Sequence, residues 1–459
     1  MPRMEGFGYW NVNYNVYGVK FTLSISGKLY GKLIAAFSGQ IGVFIFGFAI
    51  QIILARTLGP EGKGVFSLVT LIVTVLYMFV HGSLGAADAH FSGRFPKWGP
   101  AIFGNNVTIA LLTGGAIVLF FLTFSERFMP AIQPNVDLSL TNATVIVLPF
   151  LILFEYSIST ILGQDRIGRY SLILSTKELL FLVSLFILLL SGFLSVQTAL
   201  LAWVVVAILI ALYAAWSAWS GVGFKFKIDL KVLLPMAKYS LQGHIANLSS
   251  FLKMNSDKLI MAYFLDVEEV GYYSVAVAIV SVLYHLPSSV SQVLVPFISW
   301  RDNHAGDILT PQLCRITFFL TIIIGLMIGV FGWIGIMLFF SSKFIPAYPA
   351  LIILLPGAVI LSLAKLLAGD LSGRGKPQYA MVISVIVVII NIGANLILIP
   401  LWQMKGAAVT ASFTHAMTGL MFLWAFKRES GVAYVEALLI KGSDFRQIYQ
   451  ALIKMLKKQ

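Results

Sequence analysis

Residues 238–265 form an apolar stretch long enough to cross a membrane, yet they carry His244, Asn247, Lys253, Asn255, Asp257 and Lys258. At 100° per residue, His244, Asn247, Asn255 and Lys258 fall within an arc of about 80°. One polar stripe running along a membrane helix suits a water-filled cavity, and it equally suits hydrogen bonds that hold helices together. Lys258 weighs toward the cavity, because an unpaired ammonium is too costly to bury merely as glue. The stripe holds Lys258 and His244 and no carboxylate, so it favours an anionic ligand, with Asn247 and Asn255 suited to hydroxyls. Lys253 and Asp257 lie on the opposite face at i and i+4. That spacing predicts an ion pair inside one bundle; the alternative is ion coupling, with Asp257 exchanging a proton or sodium. Glu155 sits in another apolar stretch with no local partner, and a carboxyl placed there can take up and release a proton. The competing reading is an inert, protonated Glu.

Other chemistries are missing. The single cysteine, Cys314, excludes disulfides and cysteine metal sites. His81, His285 and His415 fall in three separate spans without metal-ligand spacing. No Gly-x-x-x-x-Gly-Lys-Ser/Thr loop is present, so the expected energy source is an ion gradient or the membrane potential. No metal, cofactor or catalytic constellation is expected.

The elements that must position these residues are membrane helices. Hydrophobic residues make up 59% of the 459 and charged ones 11%, whereas soluble domains carry roughly 25% charged residues. Apolar runs predict twelve spans, near 33–57, 64–86, 100–124, 143–162, 174–192, 198–219, 238–265, 271–297, 312–340, 348–369, 379–399 and 404–426. Pro149, Pro287 and Pro356 fall inside spans, as static kinks or hinges. Residues 1–32 read as a cytosolic or interfacial lead-in, and residues 451–459 as a short amphipathic surface helix.

Charge sets the orientation. With the N-terminus cytosolic, twenty-four of the 32 Lys and Arg lie on the cytosolic side and five (Arg56, Lys63, Arg127, Lys343 and Lys405) on the other. Both termini are therefore expected to be cytosolic. Topology and anionic lipid account for most of the formal charge of +13 without nucleic acid.

The chain also repeats. An offset of 207 pairs Ala55 with Ala262, Leu58 with Leu265, Glu61 with Glu268, Gly64 with Gly271 and Ser67 with Ser274. The same offset places Gly168-Arg169 on Gly375-Lys376, and one further residue places Thr198-Ala199 on Gly406-Ala407. Six spans per copy return the chain to its starting side, so the copies are parallel and related by an axis along the membrane normal. Asn247 then maps onto Gln40 and Lys258 onto Gln51, giving a candidate cavity of Gln40, Gln51, His244, Asn247, Asn255 and Lys258. The expected organisation is a lead-in (1–32), an N-lobe (33–219), a linker (220–237), a C-lobe (238–426) and a basic tail (427–459).

The stretch Ile53–Ser67 resembles the signature of bacterial polysaccharide transporters, as do Gly163–Tyr170 and Leu401–Ala408. These are the O-antigen, capsule and exopolysaccharide repeat-unit flippases (Wzx-like), a branch of the multidrug/oligosaccharidyl-lipid/polysaccharide (MOP) exporter superfamily. The resemblance spans residues 30–430. It implies an all-α, two-lobed bundle in the bacterial inner membrane. It further implies a substrate built on an undecaprenyl-diphosphate-type lipid-linked oligosaccharide, with a polysaccharide polymerase and glycosyltransferases as partners. Many members have up to fourteen spans, and this chain departs from them with twelve. Two other functions compete: a multidrug or cation antiporter, which would prefer an anionic cavity, and a membrane glycosyltransferase or polymerase, which would need catalytic carboxylates or histidines near an outer loop.

Overall fold

The computed structural model describes residues 9–16, 19–223, 228–299, 303–442 and 444. The chain opens with an antiparallel hairpin, β1 (Tyr9–Val16) and β2 (Val19–Ser26). Trp10, Val12, Tyr14 and Val16 alternate with Asn11, Asn13 and Asn15, the period-two pattern of a strand. The expected lead-in thus contains a hairpin, and helix begins at Gly27. The segment 451–459 lies outside the described residues.

Every element that follows among the described residues is helical. The order is α1 (Gly27–Val80), α2 (Leu84–Arg94), α3 (Gly99–Ile132), α4 (Leu138–Val145), α5 (Leu148–Gly163), α6 (Ile167–Leu190) and α7 (Val196–Val222). The second half has α8 (Leu230–Phe264), α9 (Val267–Ser299), α10 (Asn303–Gly335), α11 (Ala347–Gly373), α12 (Gln378–Ser430) and the short α13 (Tyr434–Leu438). Eight helices, or nine if the pair α4–α5 bent by 41° is one span, are long and apolar enough to cross a membrane. α1 is broken at Gly59 (φ 69°) and α12 at Gln403 (φ 52°), so each contributes two crossings. α8, too polar to pass that test, has crossing length and completes twelve among the described residues.

Several boundaries differ from expectation. The second crossing stops at Val80, where Gly82 and Ser83 take left-handed conformations before α2. The linker expected at 220–237 is shorter, because α7 runs to Val222 and α8 starts at Leu230. Asp229 at its end exchanges two hydrogen bonds with Asn105 on α3, at 2.8 and 3.1 Å. Pro149 begins α5 after the bend, whereas Pro356 stays inside α11. There the Gly357 N–H donates to Ser412 Oγ on α12 (3.0 Å), so a neighbouring helix satisfies backbone that the proline disturbs.

The repeat is visible in how helices begin and end. Pro60 restarts α1 as Val267 starts α9, an offset of 207. α5 and α11 finish with the same cap: Arg166 and Lys376 N–H groups reach back to Ile161 and Leu371, with Asp165 (φ 61°) and Gly375 (φ 73°) left-handed. Arg166 therefore corresponds to Lys376, and the expected pairing of Gly168-Arg169 with Gly375-Lys376 is three residues out of register. Val196 starts α7 as Met404 restarts α12, an offset of 208.

Candidate functional site

A cavity of about 530 Å³ lies between the two halves. It is lined by residues that the repeat relates. Phe44 and Phe251, Gln51 and Lys258, Ser67 and Ser274, and Thr74 and Ser281 all line it, each pair 207 apart. The helices before the break in α1 and before α9 supply Phe44, Gln51, Phe251, Asn255 and Lys258. The helices that follow them supply the serines and Thr74.

Three of the six candidate cavity residues, Gln51, Asn255 and Lys258, line this space. Gln40 lies eleven residues from Gln51, about 16 Å along the helix, and does not line it. His244 and Asn247 also lie elsewhere: both bond Ser83 in the break between α1 and α2, at 3.3 and 3.2 Å. Ser83 Oγ also lies 3.5 Å from His81 Nε2. The stripe on α8 is thus shared between a cavity and a hydrogen-bonded junction about 20 Å further along the helix.

The cavity holds a cation that the spacing did not reveal. The charge pattern expects Lys63 in a loop on the far side. It is 2% exposed at the start of the second crossing, lines the cavity, and donates from Nζ to Gln51 Oε1 at 2.5 Å. The cavity also contains a carboxylate that the α8 stripe lacks. Glu178 on α6 lines it and pairs with Lys177 at 3.1 Å. Among the lining residues, two lysines face a single carboxylate.

The proposed ion-coupling residues are placed as follows. Lys253 and Asp257 do not form the expected pair. Lys253 Nζ lies 3.4 Å from Thr418 Oγ1 on α12. Asp257 accepts from Tyr273 Oη on α9 at 2.5 Å and from the Lys258 N–H at 2.8 Å. The two side chains leave α8 toward different helices, which i,i+4 spacing cannot foresee. Glu155 on α5 packs against Gly85 of α2. One turn along α2, the fully buried Asp88 accepts from Asn106 Nδ2 at 3.0 Å. The second half has its own buried network: Ser256 donates to Asn391 (2.7 Å), Asn391 to Thr414 (3.0 Å) and Asn395 to Asn391 (3.1 Å). Asp88 and Asn391 lie where short polar residues interrupt apolar runs, and that was their only signal. His285 lies against Phe44 with ring centroids 4.4 Å apart, and His415 lies near Tyr284 Oη at 3.4 Å. No group of three or more metal-ligating side chains occurs among the described residues.

Two six-helix halves around a central cavity make up the fold. Solved structures share it. The chain superposes on an inward-facing multidrug resistance MATE family transporter with a TM-score of 0.70 at 14% identity, covering 87% of this chain and 98% of that one. The lipid II flippase MurJ in an inward closed conformation gives 0.68 at 16%, covering 93% and 96%. A family model described as "Polysaccharide biosynthesis protein" matches residues 30–300, and the chain belongs to that family. Among curated proteins, a probable low-salt glycan biosynthesis flippase, Agl15 of Haloferax volcanii, is 23% identical over 391 residues, covering 82% of this chain and 80% of its own. An uncharacterized membrane protein of Methanocaldococcus jannaschii is 26% identical over 211 residues, covering 42% of this chain and 39% of its own.

Proposed function

We propose that the protein is a flippase for oligosaccharides carried on a polyprenyl diphosphate, working by alternating access of the central cavity and driven by an ion gradient. The observation that carries this reading is the pair of lysines, Lys63 and Lys258, lining one cavity, with Gln51 and Asn255 and, among the described lining residues, a single carboxylate, Glu178. A diphosphate must cross a low-dielectric core in which an unpaired anion is strongly disfavoured. Two ammonium groups in a hydrated cleft offset part of that cost, while amides meet sugar hydroxyls. The polyprenyl tail stays in lipid and leaves between the halves. The charge balance of the lining argues against a carrier of cationic drugs, the other function this fold serves. Nothing in the site calls for bond-making chemistry.

This reading takes the helices up to α7 and from α8 to α12 as the two lobes, with both termini cytosolic and the chain in the cell membrane, the inner membrane in a bacterium. Polymerases and glycosyltransferases that consume and build the repeat unit are its expected partners.

The test is a charge series at Lys258, read as surface glycan in a flippase-deleted host with membrane levels measured by blot. Lys258→Ala should remove a charge-assisted contact of about 1.5–3 kcal/mol, roughly 10- to 150-fold in rate. Lys258→Arg should retain more, and Lys258→Glu should be worst. Wild-type display from the Glu variant at normal protein level would overturn the assignment.

A further inference from the structure

We infer that Gly64 and Gly271 form the gate that closes the cavity on the face away from both termini. Gly64 is the fifth residue after the break at Gly59, and Gly271 is the fifth residue of α9. A Cβ built on Gly64 would stand 2.0 Å from the carbonyl oxygen of Val267, and one built on Gly271 would stand 2.0 Å from the carbonyl oxygen of Pro60. The repeat relates these four residues reciprocally: Pro60 to Val267 and Gly64 to Gly271, each by 207. Each glycine therefore receives the backbone that precedes the other. The contact is built on the axis between the halves, where two equivalent surfaces must meet themselves.

Real Cβ atoms do not approach other atoms so closely, and the atoms met here are backbone, which cannot rotate away. Only glycine lets the two helices touch, as small residues do wherever membrane helices pack backbone to backbone. Neither glycine has a positive φ, so their requirement comes from the neighbouring helix and not from local conformation.

The position of the contact makes it a gate. Lys63 is the residue beside Gly64, and Ser67 and Ser274 follow one turn deeper; all three line the cavity. The glycine crossing is thus the ceiling of the ligand space. A second contact on the same face reinforces it. Arg56 Nε, at the end of the first crossing, donates at 2.9 Å to the carbonyl of Phe339 in the π-helical turn Ile336–Phe340 that ends α10. That joins the first half to the second, and π turns expose carbonyls that an ordinary helix would occupy.

Exit of a ligand through this face requires the two helix starts to part, which separates the backbones that meet at both glycines. The inference rests on alternating access, but its test reads accessibility and not transport. In a variant with Cys314 replaced by Ser, Ser67→Cys is labelled with an impermeant maleimide added separately to the two faces of sealed membrane vesicles. Gly64→Val and Gly271→Val should each raise labelling from the face away from the termini at least fivefold, with no rise from the opposite face. Gly64→Ala should give a smaller change of the same sign. Gly115→Ala, where a Cβ meets nothing within 4 Å, should leave both rates unchanged. A disrupted fold would raise labelling from both faces, and that result, or unchanged labelling in the Val variants at normal protein level, would overturn the gate. If the host assay shows no glycan transfer by the wild type, the flippase reading falls while the labelling result stands.

Discussion

The two halves of the molecule bring a lysine to the same cavity from different helices. In the second half the cation is Lys258, on the helix that precedes the crossing glycine. In the first half the repeat-related position is Gln51, a neutral amide, and the cation is Lys63 on the following helix; its own counterpart is Val270. Gln51 accepts from Lys63 at 2.5 Å, so the amide at one lysine's mirror position holds the other lysine. Each half thus supplies a cation to the cavity, from positions that the repeat does not relate. The two helices also differ in polarity: α8 carries His244, Lys253, Asp257 and Lys258 within its length and falls short of the apolarity of a membrane span, whereas Ser38–Val80 reaches it.

Removing both cations should have the largest effect. Lys63→Ala with Lys258→Ala leaves Glu178 as the only lining group of fixed charge, and surface glycan should fall below detection while each single variant retains a measurable fraction. A double variant no worse than Lys258→Ala would mean that Lys63 serves only to bond Gln51. The comparison can be sharpened by an exchange: Gln51→Lys combined with Lys63→Gln puts the first-half lysine at the true mirror of Lys258. The exchanged pair should recover at least half of the activity that Lys63→Gln alone loses.

A more moderate difference is expected from the carboxyls. Glu155 in the first half and Asp257 in the second are the candidates for coupling. Glu155→Gln and Asp257→Asn should keep normal membrane levels yet lose the response of flipping to an imposed ion gradient. Asp257 supports Tyr273 as well as the Lys258 backbone, so Asp257→Asn should also lower the melting temperature in detergent, which Glu155→Gln should not. Gradient-responsive flipping in both variants would leave the two groups structural.

The smallest effect concerns a device found in the second half. Burial works against the charge of Asp444, but hydrogen bonds from Arg315, at 2.5 and 2.8 Å, and from the Lys441 backbone hold its carboxyl below the ordinary carboxylate range. A depressed value contributes stability above that range and loses it as the pH falls through the folded value. Arg315 also donates to the Glu436 carbonyl of α13 at 3.1 Å, so a fluorophore on Val435→Cys should keep a constant anisotropy from neutral pH down to the ordinary carboxylate range and become mobile only below it. Arg315→Ala should mobilise it at every pH, and constant anisotropy in that variant would show that the pair does not hold α13.

The number of crossings, their parallel repetition and the glycines related by 207 were legible in the chain, because hydrocarbon thickness sets span length and repeated units keep their end signals. Helical period puts Asn255 and Lys258 on one face of α8 and the repeat puts Gln51 at the position of Lys258, and all three line the cavity. What could not be read was which neighbour each face meets. His244 and Asn247 share that face yet bond Ser83, because the break at Gly82 and Ser83 brings the first half against α8 at their level. Lys253 and Asp257 have ion-pair spacing yet turn to Thr418 and Tyr273, because both lie between packed helices that offer better-placed partners. Lys63 looked like a loop charge, since a Gly-Pro break beside it marks the end of a span; folding back of the next helix at Gly59 carries it inward instead. Sequence determines what one helix presents and for how long. The approach of two halves across an axis is decided only when both are packed, because it depends on residues more than two hundred positions apart meeting backbone to backbone.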